Sequence, residues 1–301
     1  MDLKQLKRFV TVAETGNFNR ASEVLAVSQP SLTRSIQLLE DGLDTKLFER
    51  GARGVTLTAV GEQLLPHARI ILSEHDRALS AISTFRGQTG GTVTVGTDTS
   101  FSMREVPLAL SYMATRHPHM QVVVKADTFG DMLDLVREGQ LNLAIGLRAS
   151  YLSTSDLIFE QLKIESSSVM IRAGHPKMQS ENPKLADLLD VPWIVADQPL
   201  LVEGWSQMFL DAGLSPPPIA LRTSSLHVAK GCILSGDFVA LGNYTSFADE
   251  IDAGLLHMLD LGHPRYERPA GVFRRVGGKL APAERAFIAI LREVCGELGT
   301  S

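Results

Sequence analysis

Gln29, Ser31, Thr33, Arg34 and Gln37 lie among the apolar residues Leu32, Ile36 and Leu39, which recur at steps of four and three. On a helix that spacing turns the apolar residues to one side and leaves the polar ones on the other. A glutamine can bridge N6 and N7 of adenine with two hydrogen bonds, and a threonine can touch the thymine methyl. Arg34 is read as a phosphate clamp, because little else on this helix is basic. Arg53, in a short glycine-flanked segment, is suited to a narrow A·T-rich minor groove, where negative potential concentrates. A second group begins at Gly96-Thr97-Asp98-Thr99-Ser100-Phe101-Ser102, where an apolar run leads into a helix. Hydroxyls and unpaired N–H groups at a helix start suit an anion, which makes Thr99, Ser100 and Ser102 candidates for holding a carboxylate. Asp98 would repel such an acid, so it is expected to point away or to cap the helix.

Catalytic patterns are missing from the sequence. There is no Gly-x-Ser-x-Gly elbow, Walker loop, His-Glu-x-x-His pair or dinucleotide glycine fingerprint, so no enzyme activity is expected. The eight histidines are scattered, and Cys232 and Cys295 have no metal or disulfide spacing. Neither a metal nor a cofactor is expected, and the cysteines are read as buried and structural. No run approaches the roughly 18 apolar residues of a membrane span. Met1-Asp2-Leu3-Lys4-Gln5 is charged where a secretory peptide needs an apolar core, so the cytoplasm is the expected compartment. The net charge is -5, but residues 1–58 carry eight basic and seven acidic side chains. Only this N-terminal part approaches a polyanion without strong repulsion.

The elements that must position these residues follow from periodicity and caps. Leu3, Leu6, Phe9, Val10 and Ala13 mark a first helix over 3–15, which Gly16 ends. Asn17 caps a second over Arg20–Leu25, and Ser28 caps a third with Pro30 in its first turn. Three short helices with tight joints fit a helix-turn-helix. Leu47–Thr58 reads as a hairpin wing. From Ala59 to about Arg86, Leu65, Ala68, Leu72, His75, Leu79 and Ile82 form a heptad seam that predicts a coiled-coil dimer helix, with Pro66 in its first turns or kinking it. Gly87-Gln88-Thr89-Gly90-Gly91 breaks that helix. Strands are then expected at Thr92–Gly96, Met120–Lys125, Leu143–Ile145, Ser168–Ile171, Trp193–Ala196, Ile219–Arg222, Phe238–Leu241 and Ala270–Arg274. Helices are expected at Glu105–Arg116, Gly130–Glu138, Lys184–Leu189, Trp205–Ala212, Ser225–Leu234, Ser246–Ala253 and Ala283–Glu297. Such alternation is the pattern of an α/β domain.

The run from Ala21 to Glu40, with Leu43, Leu47-Phe48-Glu49-Arg50, Arg53-Gly54-Val55-Thr56-Leu57-Thr58 and Gly61, closely resembles the DNA-binding segment of LysR-type transcriptional regulators. The motifs cover about the first 65 residues, and the remaining layout fits to the end of the chain. The resemblance implies an N-terminal winged helix-turn-helix over 1–58, a dimerising linker helix over 59–87, and an effector-binding domain over 88–301. That domain would be a two-lobed α/β structure resembling type 2 periplasmic binding proteins, with lobe one at 92–162 and 266–301 and lobe two at 163–265. It further implies DNA contacts by Gln29, Pro30, Thr33, Arg34 and Arg53, beside which Ser31 is a candidate. An effector cleft would be lined by Thr99, Ser100, Ser102, Thr128, Phe129, Leu147 and Arg148, with Leu201, Val202, Thr223 and Ser224 as candidates from lobe two. The expected partners are a double-stranded DNA operator, a small-molecule effector, further copies of the chain as dimer or tetramer, and RNA polymerase. No membrane partner is expected. A small organic acid is the expected effector.

Two other readings compete for the same residues. A transport solute-binding protein would need a signal peptide and no DNA domain. A redox sensor within the same family would use a cysteine pair, whereas Cys232 and Cys295 fall in different lobes on this division.

Overall fold

The computed structural model describes residues 1–51, 54–85, 90–126, 129–148, 153–179, 183–259, 261, 266–277 and 279–299. Two compact units are present: residues 1–96, 113–144 and 274–289 form one, and 97–112, 145–273 and 290–301 the other.

The first unit begins with α1 (Leu3–Thr15), α2 (Phe18–Val24) and α3 (Gln29–Leu43). Asp2, Asn17 and Ser28 cap their N-termini with side-chain oxygens, which satisfies N–H groups that have no partner within the helix. β1 (Phe48–Gly51) and β2 (Gly54–Leu57) pair antiparallel, Phe48 opposite Leu57. Gly16 ends α1 at φ 62, and its carbonyl accepts the Val55 N–H at 3.0 Å, tying the hairpin to the helices. α4 (Ala59–Phe85) follows, its start capped by the Thr58 hydroxyl on Gly61 N–H at 3.0 Å. Leu6, Phe9, Val12, Leu32, Ile36, Leu39, Leu47 and Phe48 make the core, and the Phe9 and Phe48 rings lie 5.3 Å apart. Val12 is inside, whereas Leu3, expected on the inner face, is exposed.

α4 departs from a free seam in its first half. Ala68 is fully buried in the winged-helix core, and Leu65 and Leu72 pack against the same core. Leu79 and Ile82 remain 54% and 52% exposed. Ion pairs hold α4 on its other sides. Arg69 meets Glu14 of α1 at 3.2 Å and Glu138 at 2.6 Å, and Arg77 meets Glu74 at 2.5 Å and Glu284 at 3.1 Å. Pro66 sits inside the helix, in its second turn.

Glu40, on α3, is buried at the root of the hairpin. Its carboxylate accepts the Leu47 N–H at 2.9 Å and the Phe48 N–H at 3.4 Å, and pairs with Lys46 at 2.7 Å. Burial alone would raise its pKa, but Lys46 and the two amides outweigh that and hold it below the ordinary value of 4.5. Glu40→Gln is expected to destabilise the winged helix by about 1–3 kcal/mol at pH 7, the cost of weakening a charged buried acceptor. A group with a depressed folded pKa contributes stability above its unfolded pKa and loses it as pH falls through the folded one. The gap between wild type and variant should therefore close as pH falls through the folded-state pKa, which lies below 4.5. Urea denaturation at several pH values reads this, and a gap independent of pH would reject the ionic role.

β3 (Gly91–Thr97), α5 (Thr99–Ser102), α6 (Glu105–Arg116), β4 (Met120–Lys125), α7 (Phe129–Arg137) and β5 (Leu143–Leu147) come next. β4 lies parallel to β3, Met120 beside Gly91. Then come β6 (Leu157–Arg172), β7 (Trp193–Ala196), α8 (Pro199–Asp211), β8 (Ile219–Thr223), α9 (Leu226–Ser235) and β9 (Val239–Asn243). α10 (Tyr244–Asp252), β10 (Leu256–Leu259), β11 (Tyr266–Arg275) and α11 (Pro282–Gly299) complete the order. In the second unit the strand order is β11-β6-β9-β7-β8, with β10 on β6. β7 is parallel to β8 and β9, and β6 is antiparallel to β9 and β10. Trp193, Trp205 and Phe209 pack edge-on at 5.2–5.8 Å on one side of this sheet, and Ile233, Ala240 and Phe247 fill the other.

Four elements depart most from the sequence expectation. β6 runs sixteen residues where only Ser168–Ile171 was expected, because Glu160, Lys163 and Glu165 interrupt its apolar pattern. β10 was not expected; it forms by pairing with β6. Lys184–Leu189 holds only a 3-10 turn at Leu185–Leu188. α8 starts at Pro199, not Trp205, since proline in a first turn loses no hydrogen bond. The glycine break at 87–91 lies largely outside the described residues.

Candidate DNA-contact face and effector cavity

α3 separates its two faces sharply. Leu32, Ile36 and Leu39 are at most 3% exposed, while Gln29, Pro30, Ser31, Arg34 and Gln37 are exposed and Thr33 is half-buried. Gln29 donates from Nε2 to the Thr33 hydroxyl at 3.2 Å, so the two residues present a single polar edge. With Pro30, Arg34, Gln37, Leu38 and Asp41 they rim a shallow concavity on the outer side of the helix. The turn that aims α3 passes through Ala26, a non-glycine residue at φ 51. Arg53 lies outside the described residues. The sequence reading gave Glu40 no role, although it anchors α3 to the hairpin; a carboxylate in the last turn of an amphipathic helix reads as a solvated residue until its partners are known.

A cavity of about 180 Å³ opens in the second unit. Of the residues named from sequence, Thr99, Ser100, Leu147 and Thr223 line it, as do Leu201 and Ser224. Ser102, Phe129, Arg148 and Val202 do not, and Thr128 lies outside the described residues. Arg148 is turned over the Phe159 ring at 5.2 Å. Val202 packs with the tryptophan cluster, one position along α8 from Leu201. Sequence reasoning missed Ser167, Gln198, Trp205, Asn243, Ser246 and Arg268, which complete the polar wall. A signal for two of them was present: Asn243 ends a strand and caps α10 through Ser246 N–H at 3.2 Å, and ligands gather at strand ends of α/β sheets.

The start of α5 is already occupied by the chain itself. Asp98 caps it, accepting the Ser100 N–H at 2.9 Å and the Ser100 hydroxyl at 2.5 Å on one oxygen, and the Leu147 N–H at 3.0 Å on the other. Burial raises the Asp98 pKa above its ordinary value despite these bonds. An anion placed on the Ser100 amide would meet this carboxyl group directly.

Beneath α5 lies a buried charge cluster. Lys163 pairs with Glu105 and Glu165, both at 2.5 Å, donates to the Ser100 carbonyl at 3.3 Å and the Thr245 hydroxyl at 3.2 Å, and sits 4.6 Å over the Phe101 ring. Burial would lower the Lys163 pKa, but the two carboxylates more than offset it and raise it. Glu165 is raised by burial. None of these three lines the cavity, where Arg268 is the one charged residue among the described residues. Cys295 is buried, with its thiol pushed up to about 12 by burial, and Cys232 is half-buried. A thiol with so high a pKa is a poor nucleophile.

Residues 3–62 match the family model described as bacterial regulatory helix-turn-helix protein, lysR family, and residues 86–296 match that described as LysR substrate binding domain. The SDS degradation transcriptional activation protein of a Pseudomonas species is 32% identical over 96% of this chain and 95% of its own length. The HTH-type transcriptional regulator PcaQ of Agrobacterium fabrum is 27% identical over 98% and 95%. Among solved structures, a full-length single-residue variant of OxyR from Pseudomonas aeruginosa superposes with a TM-score of 0.73 at 22% identity, covering 98% of this chain and 94% of that one.

Proposed function

The chain belongs to the LysR family of DNA-binding transcription regulators, and from that premise we propose that it recognises its operator through α3 and answers to a small organic acid in the cavity of the second unit. Regulators of this family are not enzymes. No helix among the described residues is long and apolar enough to cross a membrane, and the proposed place of action is the cytoplasm, where operator DNA is. The division proposed is 1–58 for DNA, 59–87 for the linker helix and 88–301 for the effector, in line with the two matched segments. Self-association is assigned to the exposed end of α4.

The carrying observation is the outward row of Gln29, Pro30, Ser31 and Arg34 on a helix whose opposite face is fully buried. Nothing in the core needs these side chains, and their chemistry is that of base edges and phosphates. The cavity suits a compact ligand, since one of about 150 Å³ already holds benzene.

Gln29→Ala is expected to relax base preference at one position per half-site, at a cost of about 1–3 kcal/mol there. Arg34→Ala should instead weaken binding to every sequence and reduce the salt slope by about one. Competition binding against a library of operator variants at several salt concentrations separates the two. Equal loss of specific and non-specific affinity in Gln29→Ala would remove its base-reading role.

A further inference from the structure

One small cavity of the first unit has two buried donors in its wall and nothing to accept from them. It holds about 10 Å³, room for a single water-sized sphere. Arg77 of α4, Asn142 just before β5, Arg274 and Arg275 at the end of β11, and Glu284 of α11 line it. The Nε–H of Arg77 and the Nε–H of Arg274 are both buried without an acceptor among the described residues. The remaining groups of the wall are bonded to one another. The Nη atoms of Arg77 reach Glu74 at 2.5 Å, Glu284 at 3.1 Å and the Lys279 carbonyl at 3.0 Å, and Arg275 reaches Glu74 at 2.9 Å. Glu284 also accepts the Ala281 N–H at 2.9 Å. Asn142 accepts the Thr94 N–H on Oδ1 at 2.7 Å, which leaves its amide nitrogen as a donor. Two carboxylates thus answer three guanidinium groups, and Arg274 has no ion-pair partner among the described residues. Buried donors without acceptors are costly, and more so when they carry charge.

We propose that this cavity binds one monatomic anion of the chloride type, held by the Nε–H groups of Arg77 and Arg274 with the Asn142 amide beside them. A halide is a single sphere that accepts hydrogen bonds from several directions, so it satisfies both donors and matches the spare positive charge together. Water would satisfy the donors and leave the charge. A carboxylate, phosphate or sulfate brings further oxygens, for which about 10 Å³ has no room. The site shares no residue with the effector cavity, so it stands whether or not that cavity takes an organic acid. Arg77 belongs to α4 and Arg274 to β11, so a bound ion adds a tie between that long helix and the sheet that follows it.

The test is thermal denaturation of the full-length protein as potassium chloride replaces potassium gluconate at constant ionic strength. Gluconate is too large to enter. The same series is run on Arg274→Gln, which removes the charge without breaking an ion pair among the described residues. Wild type is expected to gain about 2–4 °C in Tm across the series, the effect of a ligand at roughly ten times its dissociation constant. The variant should match wild type in gluconate and gain nothing from chloride. A second measurement needs no variant: crystals soaked in bromide should show an anomalous peak within hydrogen-bond reach of Arg77 Nε and Arg274 Nε. An equal response of wild type and variant is a general salt effect and overturns the site, as does the absence of any response or of the peak. A peak without the thermal response marks an adventitious ion only and overturns it as well. Should Arg274→Gln fail to fold, the bromide peak decides alone.

Discussion

Leu79→Glu combined with Ile82→Glu is expected to leave the protein monomeric and to lower operator affinity by at least about a thousandfold. These side chains are more than half exposed near the C-terminal end of α4, three residues apart on one stripe of the helix. Bulky aliphatics at that spacing form a seam when a second helix covers them. Placing carboxylates there puts unpaired charge into the covered interface, which is strongly unfavourable. A monomer also engages only one half-site where a dimer engages two. Leu72 lies on the same seam but is unsuitable for this test, because it also packs against the winged-helix core and its replacement would disturb that packing as well. Sedimentation velocity and operator binding are the measurements, with circular dichroism to show that helix content is kept. A variant that sediments as the wild type does would exclude this stripe from the interface.

Lys163→Met should destabilise the second unit by about 3–5 kcal/mol at pH 8, the usual consequence of leaving buried charge without its partner. Glu105 and Glu165 would then face each other across a site in which their side chains are 4% and 6% exposed. Glu165 is already raised above its ordinary value by burial, with Lys163 opposing the rise. Removing the lysine lifts it further. A group whose folded pKa exceeds its unfolded value contributes stability below the unfolded pKa and loses it as pH rises through the folded one. The variant should therefore be more stable at pH 5 than at pH 8. Adding Glu105→Gln and Glu165→Gln should flatten that dependence. Thermal denaturation from pH 5 to pH 8 gives the answer, and a loss that does not vary with pH would mean the lysine acts by packing alone.

The helices of the DNA-contact face were legible in sequence because their signals are local. Asn17 and Ser28 cap the helices they precede, Gly16 closes α1, and the Leu32, Ile36, Leu39 row repeats within a single helix. Each is decided by neighbours within four residues, so it survives without knowledge of the rest of the chain. Strands with clean apolar runs, such as Met120–Lys125 and Trp193–Ala196, were legible for the same reason.

The parts that sequence left open depend on groups distant along the chain. Lys163 reads as a reason to end a strand; only Glu105, nearly sixty positions earlier, and its neighbour Glu165 make it a buried strand residue. The heptad pattern of α4 is continuous in sequence, but it cannot say that Ala68 is covered by this chain's own core while Leu79 and Ile82 are not. The hydroxyls of Thr99 and Ser100 suggested an anion site, and the Asp98 bonds to Ser100 and Leu147 close it. Arg268 and Trp205 carry no motif and stand in no periodic row, and they meet in one wall only because β11 and α8 are folded against the same cavity. Caps and periodicity fix what each segment becomes; which charges are neutralised and which donors are left unpaired is settled by contacts between segments.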